Sequence, residues 1–146
     1  MNNFYQRYIS ECRRMENILK DVTADLCPSC DVLFHDADAM GCCGYCGQMD
    51  AYRELSGKWL SDNLFLKLKE RYNWNERYGF LDLNRGCKLP RIYRADICLT
   101  FMCGELRKRL SITEQKMLDN LISRILYDRY SDPDNNMMEI LDRKFV

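Results

Sequence analysis

The sequence predicts a mainly α fold: a small helical domain with an irregular, cysteine-rich metal-binding centre. Three observations predict it. Apolar residues recur at three- and four-residue steps near both ends of the chain, which is the period of an amphipathic helix. Between 27 and 103 glycine, proline and asparagine repeatedly interrupt that period. Eight of the nine cysteines fall within the same interrupted stretch. They form two groups, CPSC at 27–30 with CCGYC at 42–46, and then Cys87, Cys98 and Cys103.

A length of 146 residues suits one domain. Residues 1–146 are therefore read as a single unit, with a metal-binding core at 27–103 between an N-terminal helix at 3–26 and C-terminal helices within 111–146. A chain of this size buries roughly 68–70% of its unfolded surface, so it does not need metal merely to build a core. Lys+Arg and Asp+Glu both number 22, giving a net charge of zero and no support for a general polyanion binder. The N-terminus MNNFYQRYISECRR has no apolar core of a signal peptide. No run of about 18 apolar residues is present either. The expectation is a cytoplasmic chain with no membrane partner, whose thiols stay reduced. In that compartment clustered cysteine signals metal more often than disulfides, and an odd cysteine count also suits a disulfide framework poorly.

The elements follow in order. Phe4, Tyr8, Cys12, Met15, Leu19, Val22 and Leu26 mark one helix over 3–26. Cys12 lies on its apolar stripe and reads as a buried thiol, the usual fate of a free cysteine. Residues 27–47 read as loop, with Pro28, Gly41, Gly44 and Gly47 beside the cysteines. Helical spacing returns over 48–72, broken near Ser56-Gly57, with Trp59, Leu60, Leu64, Leu66 and Leu68 as core contacts. Residues 73–90 read as irregular, with a short extended piece at 79–83. The stretch 91–110 is expected to start extended and to become helical near Ala95–Leu106. SITE at 111–114 matches a capping box, and the helix it opens carries Leu118, Leu121, Ile122, Ile125 and Leu126 inward. DPDNN at 132–136 predicts a last helix with Asp132 as N-cap and Pro133 at its first position. Met137, Met138, Ile140, Leu141 and Phe145 form its apolar side.

The cysteine spacing carries the chemistry. Structural zinc takes four ligands in a tetrahedron, often all thiolate, so eight thiols can fill two sites. Each C-x-x-C turn aims two sulfurs at one ion. Cys27, Cys30, Cys43 and Cys46 make the first expected set, and Cys42, Cys87, Cys98 and Cys103 the second. Adjacent residues such as Cys42 and Cys43 project differently and are more easily split between two sites, although their roles can be exchanged. Such a pair would couple the sites and bring the N-terminal loop against 87–103. His35, the only histidine, reads as a loop or hydrogen-bonding residue rather than a ligand. Zinc suits this donor set, and an iron–sulfur cluster is the alternative. Copper at Met137 and Met138, and calcium at Asp31, Asp36 and Asp38, are set aside. Core helices use Met as filler, and the aspartates lack the EF-hand spacing.

The second group also carries a resemblance. GCKLPRIYRADICLTFMC at 86–103 resembles the tail of the bacterial YkgJ-like CxxCxxCC family, described as zinc- or iron-chelating. Gly86, Cys87, Arg94, Cys98, Phe101 and Cys103 match its closing glycine-cysteine, arginine and paired cysteines. Upstream, that family has a compact CxxCxxCC, whereas this chain has CPSC, an eleven-residue gap and CCGYC. The resemblance implies metal chelation. It does not fix a reaction, since the family's roles are diverse and one branch includes flagellin lysine methylases.

Three functional readings follow. The leading one is a metal-binding protein with structural zinc sites, a non-enzymatic interaction role and a protein partner. The second is an iron–sulfur protein with a redox or cluster-dependent catalytic role. No dinucleotide fingerprint or P-loop is present, and no catalytic pairing is legible beyond the single His35, so the reading leans away from an enzyme. The third is a nucleic-acid-binding zinc module. Segment 67–78 interleaves basic residues with Tyr72, Trp74 and Tyr78, and Arg91, Arg94, Arg107, Lys108 and Arg109 would extend a basic face. Glu70 and Glu76 dilute that charge.

Overall fold

The computed structural model describes residues 3–26, 59–74, 79–82, 86–100, 104–131 and 136–145. They form α1 (Asn3–Leu26), α2 (Asp62–Arg71), an antiparallel ribbon of β1 (Leu81–Asp82) and β2 (Gly86–Cys87), and a 3-10 turn (Arg91–Tyr93). Then come α3 (Asp96–Thr100), α4 (Gly104–Lys108), α5 (Ile112–Tyr130) and α6 (Met137–Lys144). The described chain is mainly helical, as the apolar periods require. Among the described residues no helix is long and apolar enough to cross a membrane.

The principal helix pair is α1 against α5. Tyr8, Cys12, Met15 and Leu19 are buried on α1, and Leu118, Leu121, Ile122 and Ile125 on α5. Burying each side chain of Leu, Ile or Met size stabilises the fold by about 1.5–3 kcal/mol, so this seam is a large part of the core. The expected capping box starts α5. Ser111 Oγ accepts from the Glu114 amide at 3.1 Å, and Glu114 Oε1 accepts from the Ser111 amide at 3.0 Å.

Helix α2 starts later than the sequence period implies. Residues 59–61 are not helical, and Ser61 caps the helix by accepting from the Leu64 amide at 3.1 Å. The expected helical stretch 48–58 lies outside the described residues. Leu66, expected in the core, is 59% exposed, while Phe65 is buried. The reason is angular. At 3.6 residues per turn, Leu64, Phe65 and Leu68 share one face and Leu66 falls on the other. Beyond α2, Asn73 has φ 52° and the Trp74 amide donates to Lys69 O at 3.0 Å. This is a Schellman closure with asparagine in the left-handed position. It turns Trp74 onto Phe80 and Phe65, with ring centroids 4.8 and 5.9 Å away.

Of the extended piece expected at 79–83, Leu81–Asp82 form β1, with Leu81 opposite Cys87 and Asp82 opposite Gly86, while residue 83 lies outside the described residues. Within 91–110 the opening departs from expectation: it is a 3-10 turn rather than an extended run. Of the helix expected near Ala95–Leu106, Asp96–Thr100 (α3) is helical and so is the start of Gly104–Lys108 (α4), while 101–103 lie outside the described residues. Helix α6 begins at Met137 and is capped by Asn136, not by Asp132. The Asn136 side chain accepts from Glu139 N at 3.3 Å, the same side-chain-to-amide bond expected of Asp132, placed four residues later. Met137, Ile140 and Leu141 are buried.

Charge also lies inside the fold, where the helix pattern put none. Arg129 is 5% exposed and gathers four segments. Its Nε donates to Tyr8 Oη at 3.1 Å and its Nη1 to Asp96 Oδ1 at 2.6 Å, and its guanidinium carbon lies 3.9 Å from the Trp59 ring centroid. The Tyr8 hydroxyl donates onward to Ile92 O at 2.5 Å. The knot ties α1 and α5 to the turn and short helix that follow Cys87.

Candidate metal centre

Three of the nine cysteines lie among the described residues, and they divide sharply. Cys12 is 2% exposed on the α1 seam, and burial pushes its thiol up to about 11. That is an inert core thiol, as expected. Cys87 and Cys98 are half-buried at the rim of the core. The bond between the Cys98 amide and Ala95 O, 2.9 Å, helps start α3, and β2 holds Cys87.

The backbone between these two cysteines is braced by Arg94. Its Nε donates to Leu89 O at 2.7 Å and its Nη2 to Cys87 O at 3.4 Å. The Cys87 thiol lies 3.9 Å from the same Leu89 carbonyl. One guanidinium thus fixes the carbonyl of Cys87 and the turn leaving it. Two carbonyls at Arg94's planar fork make the sort of rigid support that holds a ligating residue in place.

Cys27, Cys30, Cys42, Cys43, Cys46 and Cys103 lie outside the described residues, as does His35. Among the described residues no group of three or more His, Cys, Asp or Glu could hold a metal ion. A four-thiolate set therefore needs sulfurs from 27–46 or from Cys103 as well as any from Cys87 and Cys98. Among the described residues the site offers two partly accessible thiols, with Arg91 and Arg94 near Cys87. No family model, curated protein or solved structure matches the chain. The site is therefore read on its own geometry.

The surroundings of Cys87 are electropositive. Arg91 is 5% exposed, and its Nε donates to Glu16. Burial, then the charge of Arg94, pulls its guanidinium down to about 10. Of the basic and aromatic residues expected to form a nucleic-acid face, Arg91 is buried, and Tyr72 and Trp74 pack against the core. Lys108 and Arg109 are exposed, and Tyr78 lies outside the described residues.

A second polar cluster was not visible in the sequence reading. Glu11 and Asp128 are 5% and 1% exposed and face each other across α1 and α5. Arg7 donates to both Asp128 oxygens, from Nη2 at 2.5 Å and from Nε at 3.4 Å. Burial, then the hydrogen bond to Asp128, raises the Glu11 carboxyl to about 8. A signal for these residues did exist. Continuing the α5 stripe of 118, 121, 122 and 125 by one more turn reaches Asp128 and Arg129. Stepping back one turn from Met15 on α1 reaches Glu11.

Proposed function

We propose that this chain is a cysteine-ligated metal-binding protein. In this reading its thiolate sites, most simply zinc, staple the cysteine-bearing middle between the terminal helices. Its exposed surface serves a protein partner rather than catalysis. The ligands are Cys27, Cys30, Cys43 and Cys46 in one set and Cys42, Cys87, Cys98 and Cys103 in the other. Closed four-thiolate coordination leaves no open position for substrate, which is the mark of a structural site. Zinc in such sites supplies about 10–16 kcal/mol of apparent binding energy in small peptides, enough to order a glycine-rich segment.

The observation that carries this reading is the division among the described thiols. Cys12 is sealed in the helix seam, whereas Cys87 and Cys98 stay at the rim on a backbone braced by Arg94. Buried thiols serving only as core filler would resemble Cys12. The resemblance of 86–103 to a metal-chelating family supports the same reading, and Arg94 is one of the matched positions.

The test is metal content and the visible spectrum of protein purified without oxygen and without a metal-affinity column. About two zinc ions per chain in a colourless solution is the outcome two closed sites require. Iron with sulfide and a brown colour would replace zinc with an iron–sulfur cluster and make redox chemistry the leading role. Protein without metal and with every rim thiol reactive would refute the proposal.

A further inference from the structure

Beside Cys87, a cavity of about 400 Å³ opens between α1 and the segment 87–94. Arg13, Lys88, Arg91 and Arg94 line it, and Glu16 is the only carboxylate among its described lining residues. Glu16 is already engaged by Arg91 Nε. Arg91 Nη2 is buried and has no hydrogen-bond partner among the described residues. A buried guanidinium N–H without an acceptor leaves its desolvation cost uncompensated, and a native site relieves such a cost with an acceptor. Neither helix packing nor the Glu16 pair supplies it. Arg13, on the exposed side of α1, has no ion-pair partner among the described residues.

We infer that this cavity is an oxyanion-binding site, in which Arg91 Nη2, Arg13 and Lys88 receive a phosphate or a carboxylate group of a small ligand. Arg91 is the fixed element of the site. Its Nε is held by Glu16 and its backbone carbonyl accepts from Arg129 Nη2 at 3.5 Å, so its remaining donor is already oriented when the anion arrives. Lys88 is positioned by its ammonium donating to Asn73 O at 2.5 Å, and it adds charge rather than a directed fork. Arg13 closes the solvent side. Oxyanions suit this set because arginine donors pair with two oxygens of one group. Arg13, Lys88 and Arg91 are not proposed metal ligands, although Cys87, which is one, also lines the cavity.

The test is isothermal titration calorimetry of the full reduced chain at low ionic strength, with inorganic phosphate in one arm and acetate in the other. Saturable binding of one anion per chain, in either arm, is expected. Arg91→Lys keeps the charge but loses the fork, and should weaken binding at least about tenfold. Arg13→Gln should weaken it roughly three- to fivefold, as befits an exposed charge. Arg14→Gln is the matched control. Its neighbour in sequence lines this cavity, while Arg14 itself lines the groove between α1 and α5, so the variant should bind as the parent does. If Arg91→Lys fails to fold by circular dichroism, the Arg13 and Arg14 pair carries the test alone. No saturable heat in either arm overturns the inference. So does equal weakening by Arg13→Gln and Arg14→Gln, which would mean general charge screening.

Discussion

Glu11 makes the chain's stability depend on pH in a direction opposite to most carboxylates. Its carboxyl is raised from 4.5 to about 8 in the folded protein, first by burial and then by the hydrogen bond to Asp128. The folded state therefore holds a proton that the unfolded state releases. The stability linked to this group is fully present below about pH 4.5 and is lost as pH rises toward 8. At 1.36 kcal/mol per unit the window sets a ceiling of about 5 kcal/mol. Water in the groove of about 630 Å³ that Glu11 lines screens the charge, and we expect about 2 kcal/mol. Glu11→Gln keeps the shape and a donor for Asp128 but cannot ionise. Urea unfolding under reducing conditions at pH 4.0, 6.0 and 8.5 should show the variant matching the parent at the lowest pH and exceeding it by roughly 2 kcal/mol at the highest. Taking the difference between the two proteins cancels the groups common to both. Parallel loss of stability in parent and variant between pH 6 and 8.5 would refute the placement of a proton on Glu11.

Other perturbations probe the remaining parts. Ser111→Ala removes one arm of the α5 capping box and should cost about 1 kcal/mol in urea unfolding; no change would mean that the α1 seam alone holds the helix start. Arg129→Ala leaves Asp96 and Tyr8 without their buried partner and should cost about 3–5 kcal/mol, whereas a loss below 1 kcal/mol would show that the knot is incidental. Cys87→Ser and Cys98→Ser should each lower metal content measured by elemental analysis, and Cys12→Ala should leave it unchanged. Arg94→Lys should keep the thiols yet weaken metal retention against a chelator by about tenfold. Loss of metal from the Cys12 variant alone would reverse the assignment.

Much of the helical architecture was legible because burial leaves a period in the sequence. The stripe from Tyr8 to Leu19 fixed α1, and the SITE tetrapeptide fixed the start of α5 to the residue. Where the sequence misled, a local competitor won. Ser61 and Asn136 each offered a side-chain oxygen to an orphan amide, and each set a helix start that apolar spacing does not encode. Leu66 was misplaced because hydrophobicity was counted without helical angle. The charged interior was missed for a different reason: Glu11, Asp128 and Arg129 sit where the apolar stripe extrapolates, but their chemistry argued for solvent. For the candidate site, spacing separated Cys12 from the other thiols, and the structure repeats that separation for Cys87 and Cys98. The role of Arg94 needed three dimensions, because its partners are backbone carbonyls, which every residue has.

The Arg129 knot has a consequence for the order in which the molecule is built. Tyr8 and Arg129 are 121 positions apart, and Tyr8 and Ile92 are 84 apart. A growing chain emerges from its N-terminus, so α1 leaves the ribosome long before α5 exists to cover its apolar face. Every cysteine in the sequence precedes α5. There is thus an interval in which all the thiols have been made, including the one that α5 will help to seal, and the helix pair has not yet closed. Whatever the cysteines acquire in that interval, they acquire on an open chain. The arrival of Arg129 then ties the segment after Cys87 to the helix made first.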